Sequence, residues 1–284
     1  MSRIDLHIHS SASDGSLRPA EVVRFAKKNG LQVIALTDHD TTSGLQEALE
    51  EGKKQGIEVI PGIELSIEMK GGTFHLLGYG IKETEELQSS LRRFIEGREV
   101  RNKKILHKLE KLGMKIDYQE LIDAVPGVVP GRPHIARLML EKGYVNSYQE
   151  AFENYLKKGA VAYQDRFRMK DKEGIGLIID SGGIPVLAHP FSLKMEKEKF
   201  EDYLNTLIQY GLKGIEAYYT KHTKEQQKYY LKIAKEYRLL VTGGSDFHGD
   251  SKPRIMIGKG YGELEIPYHL YLNLKKAIKD MHNL

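Results

Sequence analysis

The chain alternates between short apolar runs and longer stretches in which apolar residues recur every three or four positions. The short runs are rich in Ile, Val and Leu, and most are followed by a helical pattern, which is typical of repeated β-α units. They predict four strands before a central segment and three after it. The predicted strands cover residues 4–9, 33–37, 59–66, 74–80, 184–189, 214–219 and 239–246.

The first two connections carry helix signals. Pro19 suits the first turn of a helix, and Gly30 predicts where that helix ends. A second helix is expected to be capped by Thr42 or Ser43 and to end near Gly56.

The central segment, residues 83–165, has helical patterns only, and we predict that it is a helical insertion. Its longest predicted helix covers residues 87–112 and stops at Gly113. Shorter helices are expected near Tyr118, Pro133 and Tyr148.

Seven strands with helices between them fit either a closed barrel or an open doubly wound sheet. The glycine-rich sequences that mark nucleotide sites in open sheets are absent. No G-x-G-x-x-G follows the first strand, and no G-x-x-x-x-G-K-[ST] occurs in the chain. Several predicted strands end in histidine instead.

Composition and charge exclude several classes of protein. The chain has no cysteine, so disulfides, thiolate metal sites and a cysteine nucleophile are excluded, and any metal must be held by His and carboxylate. No apolar stretch approaches the ~18 residues of a membrane span, and the first residues lack a signal-peptide core, so we expect a cytoplasmic protein. The net charge of +4 is mixed along the chain. It gives no basic face for duplex DNA.

Asp5, His7 and His9 occupy alternate positions of the first predicted strand, so their side chains are expected on one face. Two imidazoles on one face are a natural pair of metal ligands. Taken alone, the pattern is equally compatible with surface histidines on a half-exposed strand. The other strand ends decide between these interpretations.

Further ionisable residues lie at the ends of the other strands, where lack of a partner would cost several kcal/mol apiece. With the first strand they give six histidines and three carboxylates. This number suits two or three ions with bridging carboxylates, and mixed ligation favours Mn²⁺, Zn²⁺ or Fe²⁺ over Ca²⁺ or Mg²⁺. The candidate ligands are His7, His9, Asp14, His39, Glu64, His75, His189, Asp246 and His248.

The strings DLHIHS, SDG, TDHD, GIELS, HLLGYG, AHP and GSDFH, in this order, resemble the polymerase and histidinol phosphatase (PHP) family of metal-dependent phosphoesterases. The resemblance covers nearly the whole chain. It implies an α/β fold, a distorted seven-stranded (β/α) barrel with a two- or three-metal site at the carboxyl rim. It also implies that the nine candidates above bind metal. The barrel is then expected to comprise residues 1–82 and 166–284, and residues 83–165 to be a substrate-binding cap.

The insertion resembles that of the PHP subgroup that removes phosphate from nucleoside 3′,5′-bisphosphates and trims short RNA from the 5′ end. The residues of that subgroup that match Arg132 and His134 bind substrate phosphate. In this chain, Arg132 and His134 could instead simply cap a surface helix. Arg fits phosphate as a planar fork, and a helix N-terminus favours anions. Arg166 and Arg168 are weaker candidates for a second phosphate. The other four histidines (His107, His222, His269 and His282) are interpreted as solvated helix faces.

The sequence therefore predicts a hydrolase of phosphoric esters that uses two or three divalent ions, with Mn²⁺ favoured and Fe²⁺ or Zn²⁺ as alternatives. Glu64, as a bridging ligand, Asp246 and His134 are the predicted catalytic residues; Asp38 and Asp40 are alternatives to His134 as proton donor, or orient histidines. The expected substrates are nucleoside bisphosphates and short 5′-phosphorylated single-stranded RNA. The alternatives are a histidinol-phosphate phosphatase and, in another class, a non-catalytic PHP interaction module. The complete ligand set argues against the module.

Overall fold

The computed structural model describes residues 3–125 and 129–283. By internal contacts the chain divides into two compact units. The barrel unit comprises Met1–Gln88 and Met169–Leu284, and the helical unit comprises Ser89–Arg168.

The barrel unit is built on one sheet of seven strands, which follow one another in chain order around it. The first and last strands approach each other, because the N–H of His9 donates to the carbonyl of Phe247 and the N–H of Asp246 to that of His7, both at 2.9 Å. The sheet is therefore a nearly closed barrel, which confirms the predicted fold class. The strands are β1 (Ile4–Ile8), β2 (Val33–Leu36), β3 (Glu58–Ile67), β4 (Phe74–Tyr79), β5 (Ile184–Leu187), β6 (Gly214–Tyr219) and β7 (Leu240–Gly244).

Strand β4 breaks the expected β-α repeat. It pairs antiparallel with both β3 and β5, whereas the other neighbouring pairs are parallel. Only six residues, 68–73, connect β3 to β4, which is too short for a crossover helix. Because β4 runs in the opposite direction, its first residues lie at the edge where the other strands end. This explains why His75 lies near the start of its strand.

Helices cover the sheet and close its interior. Helix α1 begins at Pro19 as predicted and ends at the Asn29 cap. The predicted cap of the second helix was wrong: Gly44 occupies that position, and the Thr42 hydroxyl bonds the Glu83 carboxylate instead. The helices of this unit are α1 (Pro19–Lys28), α2 (Leu45–Gln55), α7 (Asp171–Asp180), α8 (Lys197–Gln209), α9 (Lys224–Glu236) and α10 (Tyr268–His282).

The barrel core is continuous from the strands to the last helix. Ile4 and Leu6 of β1 and Tyr79 of β4 pack in one buried cluster with Leu270 and Leu274 of α10. Each such apolar side chain contributes roughly 1.5–3 kcal/mol on burial. The core thus fixes the strand ends that carry the ionisable residues.

The helical unit has its own core, which includes Ile105, Leu109, Leu121, Ile135 and Met139. Helix α3 (Glu85–Glu110) begins in the barrel unit, and from Ser89 onward it forms the first part of the helical unit. The remaining helices are α4 (Tyr118–Asp123), α5 (Arg132–Glu141) and α6 (Tyr148–Ala151), the last continued by a π-helical turn over Phe152–Leu156. Among the residues described for the whole chain, no helix is both long and apolar enough to cross a membrane.

Candidate metal centre

Two buried histidines lie at the end of β1, His7 within the strand and His9 directly after it. The ring centroids of His7 and His9 lie 5.2 Å apart. Asp5, predicted on the same face, has other partners: its carboxylate accepts hydrogen bonds from the N–H and hydroxyl of Ser245 and from the N–H of Gly258. Burial raises the pKa of Asp5 to about 6, although these bonds oppose the shift. Asp5 therefore ties β1 to the chain after β7 and does not join the ligand cluster.

Glu64 of β3 lies at the centre of the cluster. Its two carboxylate oxygens face five imidazole nitrogens at 2.9–3.2 Å. Oε2 faces the first three and Oε1 the last two of the following residues: His7, His9, His39, His75 and His189. A carboxylate shared in this way between two sets of imidazoles is suited to bridging two ions.

The other two carboxylates approach the cluster from the turn after β1 and from the end of β7. Oδ1 of Asp14 lies 3.2 Å from Nε2 of His248 and 3.7 Å from Nδ1 of His9. Oδ1 of Asp246 lies 3.4 Å from Nε2 of His9 and 3.9 Å from Nε2 of His7. His9 therefore stands between both acids.

All nine predicted ligands meet in one place. They form four overlapping groups, and within each group one ligand atom from every member lies within 4.8 Å of the others. Overlapping groups can share ligands between ions, as expected of a site for more than one ion. The groups are His9, Asp14, His39 and His248; His7, His9 and Asp246; His7, Glu64 and His189; and His39, Glu64 and His75.

The donor atoms fit a cation. In the described chain, five buried atoms of the cluster have no hydrogen-bond partner: Nε2 of His7, both ring nitrogens of His9, Oε2 of Glu64 and Nε2 of His248. Such atoms are costly to bury unless something pairs with them. Two ligands that bind one tetrahedral ion at ~2.1 Å lie ~3.4 Å apart. The observed nitrogen–oxygen separations, from 2.9 to 3.9 Å, lie on both sides of this value.

Hydrogen bonds fix the tautomer of His189. Its Nδ1 lies 2.9 Å from the Ser192 hydroxyl, which itself donates to the carbonyl of Thr73. The hydroxyl therefore accepts from Nδ1–H. In the neutral imidazole, Nε2 then carries a lone pair and faces Oε1 of Glu64 at 2.9 Å. Such a pair is satisfied either by a proton on Nε2 or by a metal ion bound to both atoms.

Charge in the cluster favours cations. Burial opposes ionisation of Glu64, but the imidazoles that surround its carboxylate hold its pKa well below the usual range. Burial lowers the pKa of His39 to about 3, so this ring is neutral, as a ligand must be. Despite its burial, His9 has its pKa raised to about 9 by Asp246 and Glu64. The anionic carboxylates thus attract positive charge, which a metal ion can supply.

Glu216 of β6 is a residue of the centre that the sequence did not reveal. Its Oε1 lies 2.9 Å from Nδ1 of His7, and its Oε2 accepts the N–H of His189 at 2.7 Å. The carboxylate thus turns Nε2 of His7 toward Glu64. Contacts of this kind orient metal-binding histidines. The only signal was a charged residue within an apolar run.

Asp38 and Asp40 hold loops at the rim. Asp38 accepts hydrogen bonds from the N–H and hydroxyl of Ser10 and from the hydroxyl of Ser13, at 2.5–2.8 Å. Asp40 accepts from the N–H and hydroxyl of Ser66. These contacts favour a structural role over proton donation.

In the helical unit, Arg132 and His134 lie in the first turn of α5. Arg132 donates to the carbonyl of Leu156 at 3.0 Å, and its guanidinium lies 5.5 Å from the centre of the Tyr163 ring. Nδ1 of His134 accepts the N–H of Gly131 at 2.9 Å, so this histidine does cap its helix. Its Nε2–H is still available to donate. Burial and the charge of Arg137 lower the pKa of His134, which keeps the ring neutral near pH 7.

The PHP domain family matches residues 5–239. The chain belongs to the PHP family. A solved structure described as a putative metal-dependent phosphoesterase from Bifidobacterium adolescentis superposes with a TM-score of 0.84 at 27% identity, over 97% of this chain and 96% of that one.

Three curated relatives have similar lengths. A "5′-3′ exoribonuclease" of Haemophilus influenzae is 35% identical over 87% of this chain and 90% of its own. A "3′,5′-nucleoside bisphosphate phosphatase" of Chromobacterium violaceum is 32% identical over 87% and 88%. A "phosphoribosyl 1,2-cyclic phosphate 1,2-diphosphodiesterase" of Eggerthella lenta is 31% identical over 86% and 94%. These relatives confirm the predicted class, a metal-dependent hydrolase of phosphoric esters.

Proposed function

We propose that this protein removes phosphate from nucleoside 3′,5′-bisphosphates and trims short 5′-phosphorylated RNA from the 5′ end. The observation that carries the proposal is the nine-residue cluster around Glu64. The names of the Haemophilus and Chromobacterium relatives support the two substrates. Two or three divalent ions, Mn²⁺ first, are the proposed cofactor, because His and carboxylate ligands together favour Mn²⁺, Fe²⁺ or Zn²⁺.

The residues of the cluster have separate tasks. When bound, divalent ions lower the pKa of water toward about 7 and neutralise phosphoryl oxygens. Glu64 would hold two ions in register through its two oxygens, and Asp246 would complete the ligand set beside His9. Glu216 and Ser192 orient imidazoles through their Nδ1 atoms. None of these steps requires a covalent phosphoenzyme.

Arg132 and His134 are the proposed phosphate-binding residues of the helical unit. A guanidinium fork and a neutral imidazole N–H are both donors, and the first turn of a helix favours anions. With Nδ1 occupied by Gly131 and its pKa lowered, His134 suits binding better than proton donation. We propose that residues 83–165 serve as a substrate-binding cap in this sense.

Arg101 of α3 supports an anion site in the helical unit. Only 6% of this residue is exposed, and its guanidinium donates from Nε and Nη2 to Oδ1 of its neighbour Asn102, at 3.1 and 2.8 Å. Burial, with repulsion from Arg166, Arg132 and Arg98, lowers the pKa of its guanidinium. Positive charge therefore accumulates here, and a phosphate group would relieve the repulsion.

The experiment is a phosphate-release screen of the purified, Mn²⁺-loaded protein. Adenosine 3′,5′-bisphosphate is compared with AMP, histidinol phosphate and 5-phosphoribosyl 1,2-cyclic phosphate. We expect the bisphosphate to have the highest kcat/KM by at least tenfold. A preference for histidinol phosphate or for the cyclic ester would overturn the substrate assignment and leave the metal centre intact. Hydrolysis of none of the four would favour the non-catalytic alternative.

A further inference from the structure

The two carboxylate oxygens of Asp246 have different partners. Oδ1 faces Nε2 of His9 and Nδ1 of His248, each at 3.4 Å. Oδ2 accepts hydrogen bonds from the Tyr219 hydroxyl at 2.8 Å and from the Lys252 ammonium at 2.9 Å. One neutral and one cationic donor thus bind Oδ2. The other oxygen, Oδ1, is left facing the two histidines.

The backbone at Asp246 is constrained as well. Its φ is 60°, in the left-handed region that favours glycine. Its N–H donates to the carbonyl of His7, and its own carbonyl lies 2.8 Å from Nδ1 of His248. A conformation of this kind persists only where its surroundings determine it, and such positions concentrate at functional sites. The contacts on Oδ2 are part of those surroundings.

Tyr219 and Lys252 differ in charge and exposure. Tyr219 is 5% exposed, and burial beside Asp246 and Glu216 raises the pKa of its hydroxyl, which stays neutral. Lys252 follows the 3₁₀ turn Gly249–Ser251, and 34% of its side chain is exposed. A charge-assisted hydrogen bond is roughly twice as strong as a neutral one. Lys252 is therefore the stronger of the two donors to Oδ2. It is also the easier residue to replace, because its substitution leaves no cavity in the core.

We propose that Lys252 is a positioning residue of the metal centre: its ammonium holds Oδ2 so that Asp246 offers Oδ1 to the ion. The inference rests on the proposed function only in treating Asp246 as a metal ligand. A lysine near a cation site also repels the cation. Positioning predicts that loss of Lys252 weakens metal binding, whereas repulsion alone predicts that its loss strengthens binding. The two effects have opposite signs and can be separated.

The test compares Lys252→Met with Lys252→Arg in the full chain. Mn²⁺ affinity is measured by titration followed with electron paramagnetic resonance, which needs no substrate, and kcat and KM are measured on an aryl phosphate. For Lys252→Met we expect Mn²⁺ affinity or kcat to fall about 10- to 100-fold, with KM within threefold of wild type. Lys252→Arg should restore both values and the wild-type spectrum.

Controls separate positioning from other roles. Lys224→Met removes one charge from an exposed position of the same unit and should change neither value. Tyr219→Phe should give a smaller loss, because it removes the neutral donor. Tighter Mn²⁺ binding in Lys252→Met, or a rise in KM with unchanged kcat, would overturn the proposal. An inactive wild type would contradict the proposed function, but the Mn²⁺ titration would still test Lys252.

Discussion

Nδ1 of His7 lies 2.9 Å from Oε1 of Glu216, and both side chains are fully buried. The contact turns Nε2 of His7 toward Oε2 of Glu64, 3.2 Å away. A carboxylate behind a histidine fixes the tautomer and the orientation of the ring. His7, a candidate metal ligand, is therefore oriented by a residue that lies outside the nine-residue cluster.

Replacement of Glu216 by Gln should lower metal affinity or activity about 10- to 100-fold, because the amide cannot match both the His7 and the His189 contacts. Bound metal per chain after dialysis and kcat are the measurements. Glu225→Gln, at an exposed position of α9, is the matched control and should behave as wild type. Unchanged metal content in Glu216→Gln would show that His7 needs no such support.

The close contact between β7 and β1 provides a second prediction. A Cβ at Gly244 would overlap the Cβ and backbone N of His7, whereas a Cβ at Gly176 of α7 would meet nothing within 4 Å. Gly244→Ala should therefore displace His7 and reduce Mn²⁺ content and kcat by at least tenfold. Gly176→Ala should keep both and raise stability by up to about 1 kcal/mol. Thermal melting and metal analysis of the two variants decide; an active, metal-replete Gly244→Ala would contradict the assigned role of His7.

Arg132 should govern substrate choice more than chemistry. Arg132→Ala removes a charge-assisted phosphate contact worth roughly 1.5–3 kcal/mol, or about 10- to 150-fold in kcat/KM for a 3′,5′-bisphosphate. An aryl phosphate has no second phosphate and should be affected less. Arg137→Ala, on the same helix with its guanidinium on Glu141, is the control. Equal losses on both substrates would place Arg132 in the reaction itself or in the fold.

The charge balance predicts which RNA is cleaved. At +4 overall, with Lys pairs interleaved with Glu, the chain lacks a basic track for a long strand. We expect digestion of short linear 5′-phosphorylated RNA from its 5′ end and weak or no cleavage of duplexes. A circular RNA of the same sequence is the direct comparison. Degradation of the circle at a rate comparable to the linear strand would demonstrate internal cleavage and exclude a 5′-end mechanism.

The strands were predictable because a buried strand appears in the sequence as a local run of apolar residues. Each apolar run from 4–9 to 239–246 became a strand within two residues, and all nine candidate ligands came together. The direction of β4 was not predicted, because an apolar run does not show which way its strand runs in the sheet. Only the short connection of residues 68–73 indicates a hairpin. His75 could still be identified, since its type and its neighbours carried the resemblance.

Long-range partners were not predictable. Glu216 contacts His7, which is 209 residues away in sequence, and no local pattern links the two. Lys252 is only six residues from Asp246, but their contact depends on the fold of the turn between them. The sequence pattern places His222 on a solvated helix face, and this prediction is wrong. His222 lies before α9, with Nδ1 on the carbonyl of Ala217 and its ring among aromatic side chains. Loop residues escape periodicity arguments because their environment is set by the tertiary fold.

We propose that the cluster around Glu64 holds the divalent ions on which hydrolysis depends. The most direct measurement is elemental analysis and kcat on one sample of wild type, of Glu64→Ala and of Asp246→Ala, each before and after chelation and Mn²⁺ addition. We predict two or three ions per active wild-type chain, loss of activity on chelation and recovery with Mn²⁺. Both variants should stay folded by circular dichroism, lose bound metal and fall in kcat by orders of magnitude. Full activity in a wild-type sample without divalent metal would contradict the assignment of this cluster as the metal centre.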